Sequence, residues 1–260
     1  MYFVWDINPI IFEISSLQLR WYGLLFVSGF IGGFYIMQWM YRREGKDVRQ
    51  LDRLLYLMFA GAVIGARLGH VLFYAPDYYL AHPVEILYIW KGGLASHGGS
   101  LGMLLAVYLF KRSSTDSFLY IADRLSITVA LGATMIRLGN FFNSEILGTQ
   151  TQSFFGIIFA RVDNVPRHPA QLYESAAYLF TFLLLLYLYK NKADKFGDGF
   201  MLGTLLVSAF SFRFLIEFVK QEQADYILGL PLNVGHLLSI PFIILGGILL
   251  YLSHNKTDKP

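Results

Sequence analysis

The chain contains no cysteine in 260 residues. No disulfide can brace it, and no thiol of its own can act as nucleophile, metal ligand or redox sensor. Charge is scarce too: 15% of its residues are charged, where a soluble domain averages about 25%. Phosphate-binding loops of the Walker type, GxSxG elbows and HExxH zinc motifs are all missing. The six histidines, His70, His82, His97, His168, His236 and His254, are dispersed, so no metal spacing is visible. The net charge of +3 is not gathered into a basic stripe, which argues against a nucleic-acid partner. The opening stretch MYFVWDINPIIFEISS lacks a basic region and a small-residue cleavage site. The first apolar segment is therefore expected to serve as its own insertion signal.

What is present is apolar surface. Hydrophobic residues make up 55% of the chain and aromatics 17%, and the mean hydropathy is +0.49. Apolar stretches of about 20 residues recur between short charged loops. That length spans a bilayer as helix, the form in which backbone groups pair within their own segment. The pattern predicts an all-α polytopic membrane protein with seven transmembrane helices, near 17–41, 54–75, 94–110, 118–137, 169–190, 199–219 and 234–252. Residues 1–260 read as one integral-membrane domain, with a long connection over 138–168. Its SFFGIIFARVDNVPRHP run alternates loosely and predicts a small strand-containing flap. One alternating set of loops holds 12 Lys and Arg residues, from Arg42 to Lys259, and the other holds Lys91, Arg161, Arg167 and Lys220. The positive-inside rule then puts the N-terminus outside, the C-terminus in the cytoplasm and the connection on the extracytoplasmic side.

Five arginines fall within or beside apolar segments: Arg20, Arg67, Arg124, Arg137 and Arg213. A mid-bilayer arginine costs about 2.5–3.5 kcal/mol to insert, so each needs a reason. Arg20 and Arg124 lie near segment ends and can snorkel, and Arg124 adjoins Asp123 as a possible partner. Arg67 fits a buried structural pair or a site. Arg213 has Glu217 four residues on, so an internal ion pair competes with an anion site. Arg137 opens RLGNFFNSEILG, where Asn140, Asn143, Glu145 and Gly148 follow at the outer end of a membrane segment. Two guanidiniums at one depth suit a phosphate, and a lipid headgroup is the phosphate nearest to hand. GGLASHGGSLG (92–102) either packs helices closely or brings a substrate to His97, a side chain fit to take a proton. RHPAQLYE (167–174) reads as a helix start, and Tyr22 in RWYGL as an interfacial aromatic or a site residue.

These stretches together resemble the prolipoprotein diacylglyceryl transferase family. The resemblance is carried by RWYGL, GGLASHGG, the ADRLSITVALGATMIRLGNFFNSEILG block, RHPAQLYE and FRFLIEFVKQ, which extend over nearly the whole chain. Two differences are Ile136, where the family usually has glycine, and Lys220, where it often has arginine. The resemblance implies a transferase of the bacterial cytoplasmic (inner) membrane with its active site toward the outer leaflet. Such an enzyme moves the diacylglyceryl group of phosphatidylglycerol to the lipobox cysteine thiol of a prolipoprotein signal peptide, and glycerol phosphate leaves. It implies no metal or cofactor. It marks Tyr22, His97, Arg137, Asn140, Glu145, Gly148, Arg213 and Glu217 as important positions. A chain without cysteine fits this chemistry, since the substrate brings the thiol. On this reading His97 is the base, Arg137 and Arg213 hold the phosphate, and Tyr22 and Asn140 position headgroup or thiol. Asn143 adds a polar contact, and Glu145 and Glu217 orient arginines. A lipid or anion transporter, a phospholipase and a structural membrane protein are the competing readings.

Overall fold

The computed structural model describes residues 2–14, 17–89, 92–192, 195–221 and 232–254. Of the basic residues used for orientation, Lys91, Lys256 and Lys259 lie outside them. Seven long helices follow the seven predicted segments: α1 (Trp21–Arg43), α2 (Gln50–Phe73), α4 (Ser96–Lys111), α5 (Phe118–Asn143), α6 (Ala170–Lys192), α7 (Phe200–Glu217) and α8 (Val234–His254). A short α3 (Pro76–Ala81) and a 3₁₀ turn (Pro83–Leu87) lie between α2 and α4. Six of the long helices are long and apolar enough to cross a bilayer, which makes this a multi-pass membrane protein. The helix that is not among the six is α4, on the short, glycine-rich segment expected near 94–110, with 16 residues. Two ends also moved. Residues 17–20 are strand, because they pair with Ile10–Ile14, and α5 runs six residues past its expected end.

The chain forms two compact units, one of residues 1–36 and 123–260, the other of residues 37–122. In the second unit α2 and α4 pack through glycine. Gly61, Gly65 and Gly69, four residues apart, meet Gly98 and Gly102; a Cβ at Gly61, Gly65, Gly98 or Gly102 would enter the carbonyl oxygen opposite, and one at Gly69 would press on Gly98 Cα. Such backbone approach replaces the hydrophobic drive that helices lack in lipid. Ala95 N–H donates to Ala66 O at 2.9 Å and fixes the register.

Arg67 explains itself here. Buried at 4% exposure, it donates to the carbonyls of Glu85, Ile86, Gly92 and Gly93 at 2.5–3.2 Å. Its guanidinium also lies 4.9 Å from the Tyr79 ring centre. Gly92 and Gly93 take φ of +86° and +71°, which lets both carbonyls turn toward one guanidinium. Arg67 therefore ties the α2–α4 connection to α2, and the structural alternative holds.

In the first unit, α7 packs on α6 and α8. Gly203 and Gly246 let α7 and α8 touch: a Cβ on either would sit 2.9 Å from the other's carbonyl oxygen. Asp123, in α5, caps α7: its carboxylate accepts Gly199 N–H at 2.8 Å and Leu202 N–H at 2.9 Å. That role, more than its neighbour Arg124, accounts for the buried acid. Helix hydroxyls bond back one turn, as Thr134 to Ala130 O and Thr181 to Ala177 O, both at 2.9 Å.

The flap forms as the alternation predicted. β1 (Phe3–Trp5), β4 (Ile157–Phe159) and β5 (Pro166–Arg167) make a sheet in the order β1-β4-β5, β1 parallel and β5 antiparallel to β4. Trp5, Phe141, Leu147 and Phe159 form its core, so the flap is seated on the last turn of α5. A separate antiparallel hairpin, β2 (Ile10–Ile14) and β3 (Leu17–Arg20), precedes α1.

Candidate active site

The extra turns of α5 keep Arg137, Asn140 and Asn143 on one helix, three residues apart, so successive members are neighbours. The chain then leaves the helix through two left-handed residues that are not glycine, Ser144 (φ 56°) and Ile146 (φ 59°). Such residues cost roughly 1–3 kcal/mol each and need surrounding structure to hold them. That structure is present. Ser144 N–H bonds to Phe141 O at 3.0 Å and Glu145 N–H to Asn140 O at 3.1 Å. The fully buried Gln171 donates to Glu145 O at 2.6 Å. The turn folds Glu145 back on the helix end, where its Oε1 accepts Asn140 Nδ2 at 2.7 Å and Asn143 Nδ2 at 3.2 Å. Asn143 Oδ1 is left buried without a partner.

Gly148 follows in a crowded place. Its backbone pairs with Lys220 as an isolated bridge, its N–H donates to His168 O at 3.0 Å, and Thr149 N–H donates to Val219 O at 2.9 Å. A Cβ at Gly148 would strike the carbonyls of both His168 and Val219. The RLGNFFNSEILG loop is thus gripped by the start of α6 on one side and the end of α7 on the other. Arg167 donates to Gly148 O at 3.4 Å and to Asp163 Oδ2 at 2.6 and 2.9 Å. Those bonds hold the Asp163 carboxyl below the usual carboxylate range.

A buried ion chain lies beneath this loop. Arg137 Nε pairs with Glu174 Oε2 at 3.0 Å, and Arg137 Nη1 donates to Asn140 Oδ1 at 3.2 Å. Glu174, 1% exposed, also takes Lys220 Nζ at 3.3 Å, and Lys220 lies 3.6 Å from Glu217 Oε2. The Glu217 carboxylate occupies the space a Cβ on Gly235 would need, at the N-terminus of α8, which favours a negative charge. Arg137 with Glu174 and Lys220 with Glu217 are neutral pairs. Arg213 is different. Half-buried, it has no hydrogen bond or ion pair among the described residues. Its charge acts on the Tyr178 hydroxyl together with those of Arg137 and Glu174. Arg137 is thus paired with a carboxylate and Arg213 is not.

Tyr22 joins the same cluster. Its ring lies over Gly139, where a Cβ would come within 2.7 Å of it, and its hydroxyl feels the charges of Glu145 and Arg137. Tyr22, Arg137, Asn140, Asn143, Glu145, Gly148, Arg213 and Glu217 all belong to the unit of residues 1–36 and 123–260. His97 belongs to the other unit. It is exposed in the first turn of α4, without a hydrogen bond among the described residues.

The carboxylates depart from the sequence expectation. Neither Glu145 nor Glu217 pairs with an arginine; Glu145 holds two asparagines and Glu217 a lysine. The acid that orients Arg137 is Glu174, which reads in the sequence as part of a helix start. Gln171 and Tyr178 were missed as well. A signal for all three is present: Gln171, Glu174, Ser175, Tyr178 and Thr181 form a polar stripe at helical period on an otherwise apolar helix. Among the described residues, no three of His, Asp and Glu converge as a metal site requires.

The family profile described as prolipoprotein diacylglyceryl transferase matches residues 9–252. A phosphatidylglycerol–prolipoprotein diacylglyceryl transferase of Tolumonas auensis is 49% identical over 256 residues, which is 98% of this chain and 99% of that one. A protein of the same name from Chloroherpeton thalassium is 51% identical over 255 residues, 97% of this chain and 94% of its own. Another, from Bacteroides fragilis, is 41% identical over 254 residues, 93% and 92% of the two chains. With a match from end to end of its membrane helices, the chain belongs to the prolipoprotein diacylglyceryl transferase family.

Proposed function

We propose that this chain transfers the diacylglyceryl group of phosphatidylglycerol to the thiol of a lipobox cysteine in a prolipoprotein signal peptide, the first step in lipoprotein maturation. The names of the relatives supply the two substrates. The observation that carries the reading is the Arg213 guanidinium, half-buried in α7 and without a hydrogen bond or ion pair among the described residues, on a helix that packs against the one bearing Glu174, the partner of Arg137. A phosphodiester between the two arginines completes the pairing that the protein leaves open.

The chemistry follows from that placement. The substrate thiol, with an ordinary pKa near 8.5, loses its proton to a base; His97 is assigned that part. The thiolate attacks the glyceryl carbon next to the phosphate oxygen. A C–S bond forms as the C–O bond breaks, and its electron pair stays with glycerol phosphate. Arg137 and Arg213 stabilise the charge that grows on the departing phosphate. Glu174 pairs with Arg137 Nε and Asn140 Oδ1 accepts from its Nη1, and these two contacts orient the guanidinium for the anion. Tyr22 and Asn140 border the headgroup, and Glu145 and Asn143 keep Asn140 in place. Glu217 keeps Lys220 in the ion chain, and Gly148 lets the loop close on its neighbours. No cofactor and no nucleic acid enters the scheme.

We place the protein in the bacterial cytoplasmic (inner) membrane as one transferase domain over 1–260, with α4 as a short seventh span. The N-terminus and the connection 138–168 are outside, the C-terminus is inside, and the active site faces the outer leaflet. The loop charges and the chemistry of the substrates support this arrangement.

Purified protein in detergent, given phosphatidylglycerol and a lipobox peptide, tests the reading through glycerol phosphate release and peptide mass. Release that needs the peptide's cysteine, together with a diacylglyceryl gain in mass, is expected. Lipid cleavage with a serine-substituted peptide would mean a hydrolase, and no cleavage by folded protein would mean a binding or transport role.

A further inference from the structure

The hairpin before α1 has no part in the site above and raises a separate question. In β2 and β3 the register is Phe12↔Leu19, Glu13↔Gln18 and Ile14↔Leu17. Cross-strand partners share a face and successive residues alternate. One face therefore carries Phe12, Ile14 and Leu19; the other carries Glu13, Gln18 and Arg20, with the half-buried Ile10 opposite Arg20 beyond a register irregularity. The polar face is internally satisfied: Gln18 donates to Glu13 at 3.1 Å and accepts from Arg20 at 2.8 Å. The apolar face is bare, with Phe12 48%, Ile14 64% and Leu19 36% exposed. A lone two-stranded hairpin is marginal in water, and one with a bare apolar face more so.

The position of the hairpin indicates what covers it. Arg20, its last residue, is followed by Trp21, the first residue of a membrane-spanning helix. Trp21 N–H donates to Pro9 O at 3.0 Å, so both ends of the hairpin are tied to the top of α1. The exposed apolar stripe of that helix begins at Leu24, one turn below, and continues through Val27 and Ile31. Exposed apolar surface on the hairpin and on the membrane-spanning helix thus lies within about one helical turn along the chain. We infer that the β2–β3 hairpin lies in the bilayer interface, with Phe12, Ile14 and Leu19 among the acyl chains and Glu13, Gln18 and Arg20 toward water. In that position it sets the depth at which α1 enters the membrane, and with it the height of Tyr22.

The absence of cysteine makes the test clean, since a single introduced thiol is the only one to label. Spin labels would be placed on Phe12→Cys, Glu13→Cys, Ile14→Cys, Gln18→Cys and Leu19→Cys in the full chain, reconstituted in phosphatidylglycerol-containing vesicles. Leu24→Cys on α1 serves as the lipid-facing reference. Relaxation by oxygen, which concentrates in acyl chains, would be compared with relaxation by a water-soluble nickel chelate. Labels at 12, 14 and 19 should resemble the one at 24, with oxygen dominant, and the order should reverse at 13 and 18. Chelate dominance at all five positions would place the hairpin in water and overturn the inference. Protection from both reagents at 12, 14 and 19 would mean a protein cover, a second copy included, and would overturn it equally.

Discussion

Arg67 and Arg213 look alike in sequence: each is a lone cation inside an apolar helix. In the structure they are opposites. Arg67 spends its donors on four backbone carbonyls of the α2–α4 connection, whose glycine turns are shaped to receive it. Arg213 makes no hydrogen bond or ion pair among the described residues. A membrane arginine is therefore not a site because it is costly. It is a site when its donors remain available after the protein has used what it needs. The same accounting separates the two units around them. Where α2 meets α4, glycine brings backbone onto backbone. Around α5, α6 and α7, buried acids and bases are linked in a chain from Arg137 through Glu174 and Lys220 to Glu217, and Arg213, one turn before Glu217 on α7, has no ion pair among the described residues.

The sharpest test exchanges the fates of the two arginines. Arg213→Ala should lower turnover by about 10²–10³, the usual consequence of removing one preorganised charge donor, with no loss of thermal stability. Arg213→Lys should recover only part, since an ammonium keeps the charge and loses the fork. Arg67→Met should do the reverse. It strands carbonyls that water reaches poorly, so stability should fall by about 2–3 kcal/mol, while turnover per folded molecule stays near that of the parent. Thermal midpoints in detergent and active-site-normalised rates read the two effects apart. Equal damage to both properties in both variants would end the distinction.

A smaller effect probes how the site loop is held. Ser144 is strained at φ 56°, and its buried hydroxyl has no partner. Ser144→Gly should stabilise the fold by about 0.5 kcal/mol, the relief of a left-handed residue less the added freedom of glycine. Turnover should nevertheless fall, because the turn that returns Glu145 to Asn140 becomes looser. A denaturation curve beside a rate measurement checks both signs. The smallest effect belongs to the flap. Asp163, whose carboxyl the Arg167 hydrogen bonds hold low, is largely solvated, so its pair is worth less than about 1 kcal/mol. A depressed carboxyl stabilises the folded state above its unfolded value, about 3.9, and the benefit fades as pH falls through the lower folded value. Asp163→Asn should lower neutral stability by less than about 1 kcal/mol and flatten the acid limb of a stability–pH profile by the same amount, the two profiles converging below about pH 4.

The sequence made the helices legible because each is a long apolar run with charged ends, a local property. It made the flap legible by alternation. It did not show the hairpin, since Leu17–Arg20 reads as the start of an apolar segment until Ile10–Ile14 pairs with it. It did not show that α5 reaches Asn143, since the polar residues there look like a loop. Among site residues, Arg137, Asn140, Asn143, Glu145, Gly148, Arg213, Glu217 and Tyr22 were named from motif and charge, and all fall in one unit. Their partners were not. Glu145 seemed fit to hold an arginine and instead holds two asparagines, while Glu174 does the holding.

Sequence by itself determined that this chain lives in a membrane, that any thiol in its chemistry comes from a substrate, and that cations stand where lipid would exclude them. Those are matters of composition and run length, which need no neighbour from elsewhere in the chain. Which cation is consumed by the fold and which keeps its donors was decided only by tertiary structure. A guanidinium's partners are set by contacts far apart in sequence: Arg67 with the carbonyls of residues 85–93, Arg137 with Glu174, and Lys220 with Glu174 in turn.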